Sequence, residues 1–355
     1  MLHTHTNPWR TLFSLLLFII IPLSACRPDN TPQMTTISGE TMGTTYTVKY
    51  LNSPQDKLPN ATTIQAELNT LLHDINQQMS TYQVDSEISR FNQMKASQGA
   101  MPISADFATV LNEAIRLNQV TEGALDVTIG PLVNLWGFGP DKRVNKTPTP
   151  NELAQAISSI GLDKIHLTLP QGKQPALLSK QTDHVYLDLS SIAKGFGVDK
   201  LAQYLDKLGI QNYLVEIGGE LRAKGKNPQK EAWHIGIEHP QMAHKQTSQI
   251  VVPLNNQALA TSGDYRNFHL DEQGKRLSHI IHPITHQPIN HQLASISVIT
   301  DSAMTADGLS TGLFVLGEER ALALAEQHKL AIFLIIKTEH GFKTKMSSAF
   351  KNLLP

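Results

Sequence analysis

Residues 212–221 read NYLVEIGGEL, an apolar strand-like run that meets a tight turn or bulge at Gly218-Gly219. The runs downstream have the same character. WHIGIEHP (233–240), IVVPL (250–254), QALATSG (257–263) and LASISVIT (293–300) are strand-like and separated by turn residues. Upstream, TTYTVKYL (44–51) alternates as a strand does. Strands therefore cluster instead of alternating strictly with helices, and the expected class is α+β rather than a doubly wound sheet.

Helical patterns flank these runs. Residues 61–79 carry Ile64, Leu68, Leu71, Leu72, Ile75 and Met79 as one stripe. STYQVDSEISRFN (80–92) reads as a loop and then a short helix. Ser104 is placed to cap a helix through Val120 that buries Phe107, Val110, Leu111, Ala114 and Ile115. TPTPNELAQAISSIG (147–161) starts a helix near Pro150 and stops it at Gly161. HVYLDLS (184–190) reads as a strand ending in a polar corner, followed by a helix to Leu208. ERALALAEQHK (319–329) is expected as a helix and LAIFLIIK (330–337) as a buried strand. No break in composition splits the chain, and residues 140–150 are the best candidate for an exposed connection.

The N-terminus bears on the compartment. TLFSLLLFIIIPLSAC (11–26) is apolar, follows Arg10, is short for a membrane span, and ends in a small-residue processing site. Leu23-Ser24-Ala25-Cys26 resembles a bacterial lipobox, in which residues 1–25 are removed and the thiol of Cys26 is acylated. An uncleaved signal anchor with an incidental cysteine is the alternative. Cys26 is the only cysteine, so it has neither a disulfide partner nor a second thiol for a metal. Lipid chains would hold the protein on a membrane surface without a spanning helix. Residues 26–36 read as a polar tether and 37–350 as the folded domain. The expected location is the bacterial cell envelope, on the periplasmic or extracellular side of a membrane. Lys and Arg number 30 against 31 Asp and Glu, a net charge of −1, with no basic stripe for nucleic acid.

Several stretches carry chemistry. In TADGLSTGLFVLG (305–317), Asp307 and Thr311 are four apart and share a helical face. They are either a helix cap and its neighbour or hard oxygen ligands suited to Mg²⁺ rather than Zn²⁺; spacing alone favours the cap. YLDLSSIAKGFGVDK (186–200) sets Asp188, Lys194, Gly195 and Gly197 around a helix start, where an anion is favoured, though a lysine there is commonly just solvated. It is neither a Walker A sequence nor a Rossmann fingerprint. Glu216 and Glu220 beside the glycine turn read first as structural. Ser262, Gly263, Asp264, Tyr265 and Arg266 follow a strand, as binding residues or as a hairpin corner. LSHIIHPITHQPINH (277–291) holds His279, His282, His286 and His291 without a zincin pattern, and Pro283 interrupts helical spacing. A single histidine acting as a base suits it better than a zinc site.

Taken in order, ETMGTTYTV, MSTYQVDSEISRFN, GALDVTIGPLVNLWGFGP, VYLDLSSIAKGFGVDK, LVEIGGELRAKG, WHIGIEHP, ALATSGDYRNF, SHIIHP and DSAMTADGLSTGLFVLG resemble the ApbE family of FAD:protein FMN transferases, over about residues 39 to 336. The resemblance implies mixed or antiparallel sheets with packed helices. It implies transfer of the FMN half of FAD to a threonine hydroxyl of an acceptor protein, through a phosphoester, with AMP released and Mg²⁺ required. Carried over by motif, Met42 and Tyr82 contact the flavin or adenine part. Ala124, Leu125 and Asp126 line the FAD pocket, and Asp188, Lys194 and Ile281 bind FAD. Asp307 and Thr311 hold the ion through their side chains, Ser191 adds its backbone carbonyl, and His279 is the histidine of catalysis. The same site would serve a metal-dependent FAD pyrophosphatase; a non-catalytic flavin-binding lipoprotein is the third reading. Two departures stand out. The family pattern usually reads His-Ile-Ile-Asp-Pro with a glycine a few residues on, whereas here His282 and His286 occupy the Asp and Gly positions. Gly308 and Gly312 stand where alanine is common.

Overall fold

The computed structural model describes residues 31–354 apart from 54, 140–146, 241–247, 265–267, 271–273 and 275. The signal, Cys26, Tyr265, Arg266 and most of the connection at 140–150 therefore lie outside the described residues.

The chain opens with the hairpin β1 (Gln33–Thr41) and β2 (Thr44–Asn52), then α1 (Ala61–Met79) and α2 (Glu87–Gln93). Next come β3 (Met101–Ile103), α3 (Ala105–Val120), α4 (Gly130–Leu135) and α5 (Pro150–Ser158). After β4 (Ile165–Thr168) and β5 (Ala176–Lys180), α6 (Ala193–Lys207) leads into β6 (Tyr213–Ile217) and β7 (Glu220–Lys224). The strands β8 (Trp233–Glu238), β9 (Ser248–Leu254), β10 (Gln257–Gly263), β11 (Phe268–Leu270), β12 (Arg276–Ser278) and β13 (Leu293–Thr300) follow, with no helix between them among the described residues. The chain then runs through α7 (Ala303–His328), β14 (Ala331–Thr338), β15 (Gly341–Met346) and α8 (Ser348–Lys351).

The main sheet has eight strands in the order β1-β2-β6-β7-β10-β13-β14-β15, and every pairing in it is antiparallel. The class is α+β, as the clustered strands predict. One face of the sheet packs against α1, α3, α6 and α7; the central strands bury their other face under the β8–β9 hairpin and α8. LAIFLIIK lacks strand alternation for this reason. Ile332, Leu334 and Ile336 face the helices, while Ala331, Phe333 and Ile335 face the hairpin side.

Local signals set the helix starts. Asn60, Ser86, Ser104, Thr149, Ser302 and Ser347 each accept a hydrogen bond from a backbone N–H in the first turn of α1, α2, α3, α5, α7 and α8 respectively. Two-residue turns set the hairpins: Met42 and Gly43 have φ of 51° and 72°, and Gly218 and Gly219 have 60° and 107°.

Two expectations are corrected. HVYLDLS is extended, with Val185, Leu187 and Leu189 buried in alternation, but it joins no sheet. The side-chain amide of Asn92 replaces a neighbouring strand. It donates to the Leu187 carbonyl (2.9 Å) and accepts the Leu187 N–H (2.8 Å), while Asp188 N–H donates to the Val127 carbonyl (2.8 Å). Strand β1 also begins at Gln33, inside the stretch read as tether, because Gln33 to Thr36 find antiparallel partners from Asn52 to Lys49.

Candidate functional site

A cleft of about 1360 Å³ opens over the end of the sheet. Its floor is the start of β2 (Thr44, Thr45), the β6–β7 turn and β10; α6 and α7 form one wall, and Ile235 and Ile237 of β8 line another side. Of the residues singled out from sequence, Tyr82, Ala124, Leu125, Asp126, Asp188, Ser191, Lys194, His279, Ile281, Asp307 and Thr311 all line this one cleft. Met42 is not among the lining residues. It sits in the β1–β2 turn, and its side chain packs against the cores beneath α6.

The polar centre is built by two helices that cap each other. Nothing from Ile192 caps the start of α6. The orphan N–H of Gly195, in its first turn, is instead satisfied from α7: it donates to Asp307 Oδ2 at 2.9 Å. In return Asp199, one turn into α6, accepts from Ser302 Oγ (2.7 Å), Ala303 N–H (3.1 Å) and Met304 N–H (3.0 Å) at the start of α7. Arg222 of β7 neutralises Asp199 at 2.6 Å. Asp307 is thus not the cap of its own helix, which begins at Ser302; the cap reading that spacing favoured does not hold. The close approach requires Gly195, since a Cβ there would overlap the Ala303 carbonyl and come within 2.8 Å of Asp307 Cβ.

Lys194 lies between two carboxylates, 2.8 Å from Glu220 Oε1 and 3.6 Å from Asp307 Oδ1. Burial alone would lower its pKa, but Asp307 and Glu220 outweigh that and hold the ammonium above its ordinary range. Asp307 is 2 % exposed. Burial pushes its carboxyl above the usual aspartate value, with Lys194 pulling against that shift. Burial likewise raises Asp126, which accepts from Thr128 N–H (2.8 Å) and Oγ1 (2.6 Å). Asp188 accepts from Ser190 N–H (2.9 Å) and Oγ (2.5 Å), which shapes the corner into α6. Ser262 Oγ stands 3.3 Å from Thr311 Oγ1 and 2.9 Å from Ser310 Oγ. His279 sits edge-on to Phe138, with ring centroids 6.4 Å apart.

Among the described residues no three His, Cys, Asp or Glu side chains form a metal-binding group. His282 Nδ1 faces its own loop, and His291 Nε2 lies 2.7 Å from the Phe314 carbonyl. The Asp307 carboxylate, the Thr311 hydroxyl a helical turn away and the main chain of Ser191 line the cleft together, a hard-oxygen set that fits Mg²⁺ and not Zn²⁺.

Three contributors to the site carry no functional mark in the sequence. Glu220 fixes Lys194, Asp199 fixes the start of α7, and β8 walls the cleft. The glycine turn before Glu220 was the available signal for the first. Asp199 looked like any helical aspartate.

Fold and site together define an α+β protein with a cleft of mixed lining, where an ammonium, a helix N-terminus and hard oxygen donors meet; this is equipment for a phosphate-bearing ligand. The chain belongs to the ApbE family, whose model matches residues 42–334. It is 55 % identical over 333 residues to the FAD:protein FMN transferase of Haemophilus influenzae, covering 94 % of each chain. It is 49 % identical over 318 residues to that of Vibrio cholerae, covering 90 % of this chain and 92 % of the relative. The solved structure of the flavin transferase ApbE from Vibrio cholerae superposes with a TM-score of 0.81 at 48 % identity, over 91 % of this chain and all of that one.

Proposed function

We propose that this protein is a FAD:protein FMN transferase that moves the FMN half of FAD onto a threonine hydroxyl of an acceptor protein. The threonine oxygen bonds to the FMN phosphorus, the bond from that phosphorus to the bridging oxygen breaks, and AMP leaves with that oxygen. The observation that carries this reading is the meeting of Lys194, Asp307, Thr311, Ser191 and His279 in one cleft roomy enough for a dinucleotide.

Each group has a physical task. Lys194, held charged by Glu220 and Asp307, offsets pyrophosphate charge that would repel a nucleophile. The α6 N-terminus adds its partial positive charge. Asp307 commits Oδ2 to Gly195 and, with Thr311 and the Ser191 carbonyl, would hold the ion. When bound, Mg²⁺ supplies the charge that stabilises the developing phosphate oxygens. His279 accepts the threonine proton, since the hydroxyl is a weak nucleophile and the departing phosphate needs little protonation. Ala124, Leu125, Asp126, Tyr82, Asp188 and Ile281 supply the walls for FAD.

The decisive assay mixes purified protein, FAD, Mg²⁺ and an acceptor, and reads the acceptor's mass. A gain equal to FMN is expected. Free FMN without adduct would mean a pyrophosphatase, and tight FAD binding with no turnover a binding protein. His279→Ala should slow transfer while leaving FAD affinity near wild type; an equal loss of both would remove the base role.

Residues 1–25 are read as an export signal and Cys26 as the lipid attachment site, on the lipobox resemblance alone. On that reading the enzyme would sit on a membrane surface of the bacterial envelope, facing the periplasm or the exterior.

A further inference from the structure

Residues 280–289 fold back on themselves beside the cleft. Ile289 N–H donates to the Ile280 carbonyl (3.0 Å), His282 N–H to the Gln287 carbonyl (2.9 Å), and Ile281 bridges Pro288. The tip, 283–286, has three N–H groups with no strand partner, since proline has none. His286 N–H reaches the His282 carbonyl at 2.8 Å. The other two turn to the His282 ring: Nδ1 accepts from Ile284 N–H at 3.1 Å and, at the limit of a bond, from Thr285 N–H at 3.5 Å. A ring nitrogen here does what an aspartate or asparagine oxygen does in an Asx turn.

The hairpin is tied to the site at both ends. His286 takes φ 59°, and its carbonyl accepts Trp136 Nε1–H at 3.0 Å just beyond α4. Ile281 is buried with Leu132, Leu135 and Ala156 of α4 and α5, and it lines the cleft together with Ile280 and His279.

Nδ1 accepts only in the neutral ring with its proton on Nε2. A second proton would set an N–H against two N–H groups and remove the tip's acceptor. Burial disfavours that proton, and the titratable groups facing His282, His291 and His286, disfavour it further; Asp264 and Lys337 lie beyond, acting on His291.

We propose that His282 is a positioning residue whose Nδ1, accepting from the 284 and 285 amides, holds the 280–289 hairpin closed and with it His279 and Ile281 against the cleft, and that proton uptake by His282 releases them. The effect on FAD rests on the function proposed above; the hairpin transition does not.

The test follows three observables on the full chain from about pH 8 to about pH 5, across the histidine range. They are hydrogen exchange of the 283–287 segment corrected for intrinsic rate, intrinsic fluorescence assigned to Trp136 by its loss in Trp136→Phe, and the Kd for FAD. In the wild type, protection and fluorescence should change together toward the acid end of this range, since burial disfavours the second proton on His282. The FAD Kd should rise about three- to tenfold with them, the worth of one such hydrogen bond. His282→Asn keeps a neutral acceptor and should abolish the transition and retain the tight Kd. His282→Ala should show the weak Kd and open hairpin at every pH. An unchanged pH response in His282→Asn would overturn the proposal, as would a hairpin transition that leaves the FAD Kd flat. Absence of FAD binding at every pH would count against the proposed function, while the exchange and fluorescence arms would still decide the hairpin lock.

Discussion

Gly308 and Gly312 leave α7 bare where it meets α3. Each costs about 1 kcal/mol relative to alanine in a helix interior, so by propensity they are weak points beside Asp307 and Thr311. Packing gives the reason for them. A Cβ at Gly312 would lie 2.7 Å from Thr121 Cγ2, 3.0 Å from Thr121 Cβ and 3.1 Å from Leu125 Cβ. Thr121 cannot retreat, because its hydroxyl donates to the Leu117 carbonyl (2.8 Å) and accepts the Leu125 N–H (3.0 Å). At Gly308 the obstacles are side-chain tips, Leu117 Cδ1 at 2.5 Å and Ile192 Cδ1 at 3.3 Å. Gly312→Ala should therefore lower stability by about 1–3 kcal/mol despite its better propensity. Gly308→Ala should stay within about 1 kcal/mol of wild type, crowding and propensity offsetting. Urea unfolding of the two variants checks this; equal losses would mean that α3 does not set the glycines.

At the scale of elements, the pairing of α6 with α7 organises the site. Asp307 reaches from α7 to the first turn of α6, and Asp199 reaches from α6 to the first turn of α7. The link that positions Lys194 therefore also positions Asp307 and Thr311. Asp199→Ala would free three donors and leave Arg222 without its carboxylate. It should cost about 3 kcal/mol in guanidinium unfolding and weaken Mg²⁺ binding in calorimetry. A loss below about 1 kcal/mol would show that Ser302 suffices as the cap. Elements were well marked in the sequence. Ser104 starts α3 where side-chain capping predicts, α5 starts at Pro150 as its proline suggests, and NYLVEIGGEL is the β6–β7 hairpin. HVYLDLS misled because alternation reports burial on one side of an extended chain, and it cannot tell a strand partner from the Asn92 amide.

For the whole molecule, the described residues from Pro32 onward form a compact unit, and among the described residues no helix is long and apolar enough to cross a membrane. On the lipobox reading, membrane attachment would depend on Cys26. Cys26→Ser should move the protein from the membrane to the soluble fraction and abolish incorporation of labelled palmitate; retention in membranes would point to an uncleaved anchor. From the sequence alone the α+β class, the starts of α3 and α5 and the β6–β7 turn are legible, because caps, glycine turns and apolar periodicity act over a few residues. The order of its motifs determined the family. It could not choose between Asp307 as a cap and as a ligand, nor give His282 a task. Tertiary structure decided that Asp307 does not cap its own helix and that the His282 ring accepts from its own loop. Asp307 gains its partner from Gly195, 112 residues away, only because a bare glycine lets α6 and α7 touch. His282 becomes an acceptor only because the fold turns the 280–289 hairpin back over its ring.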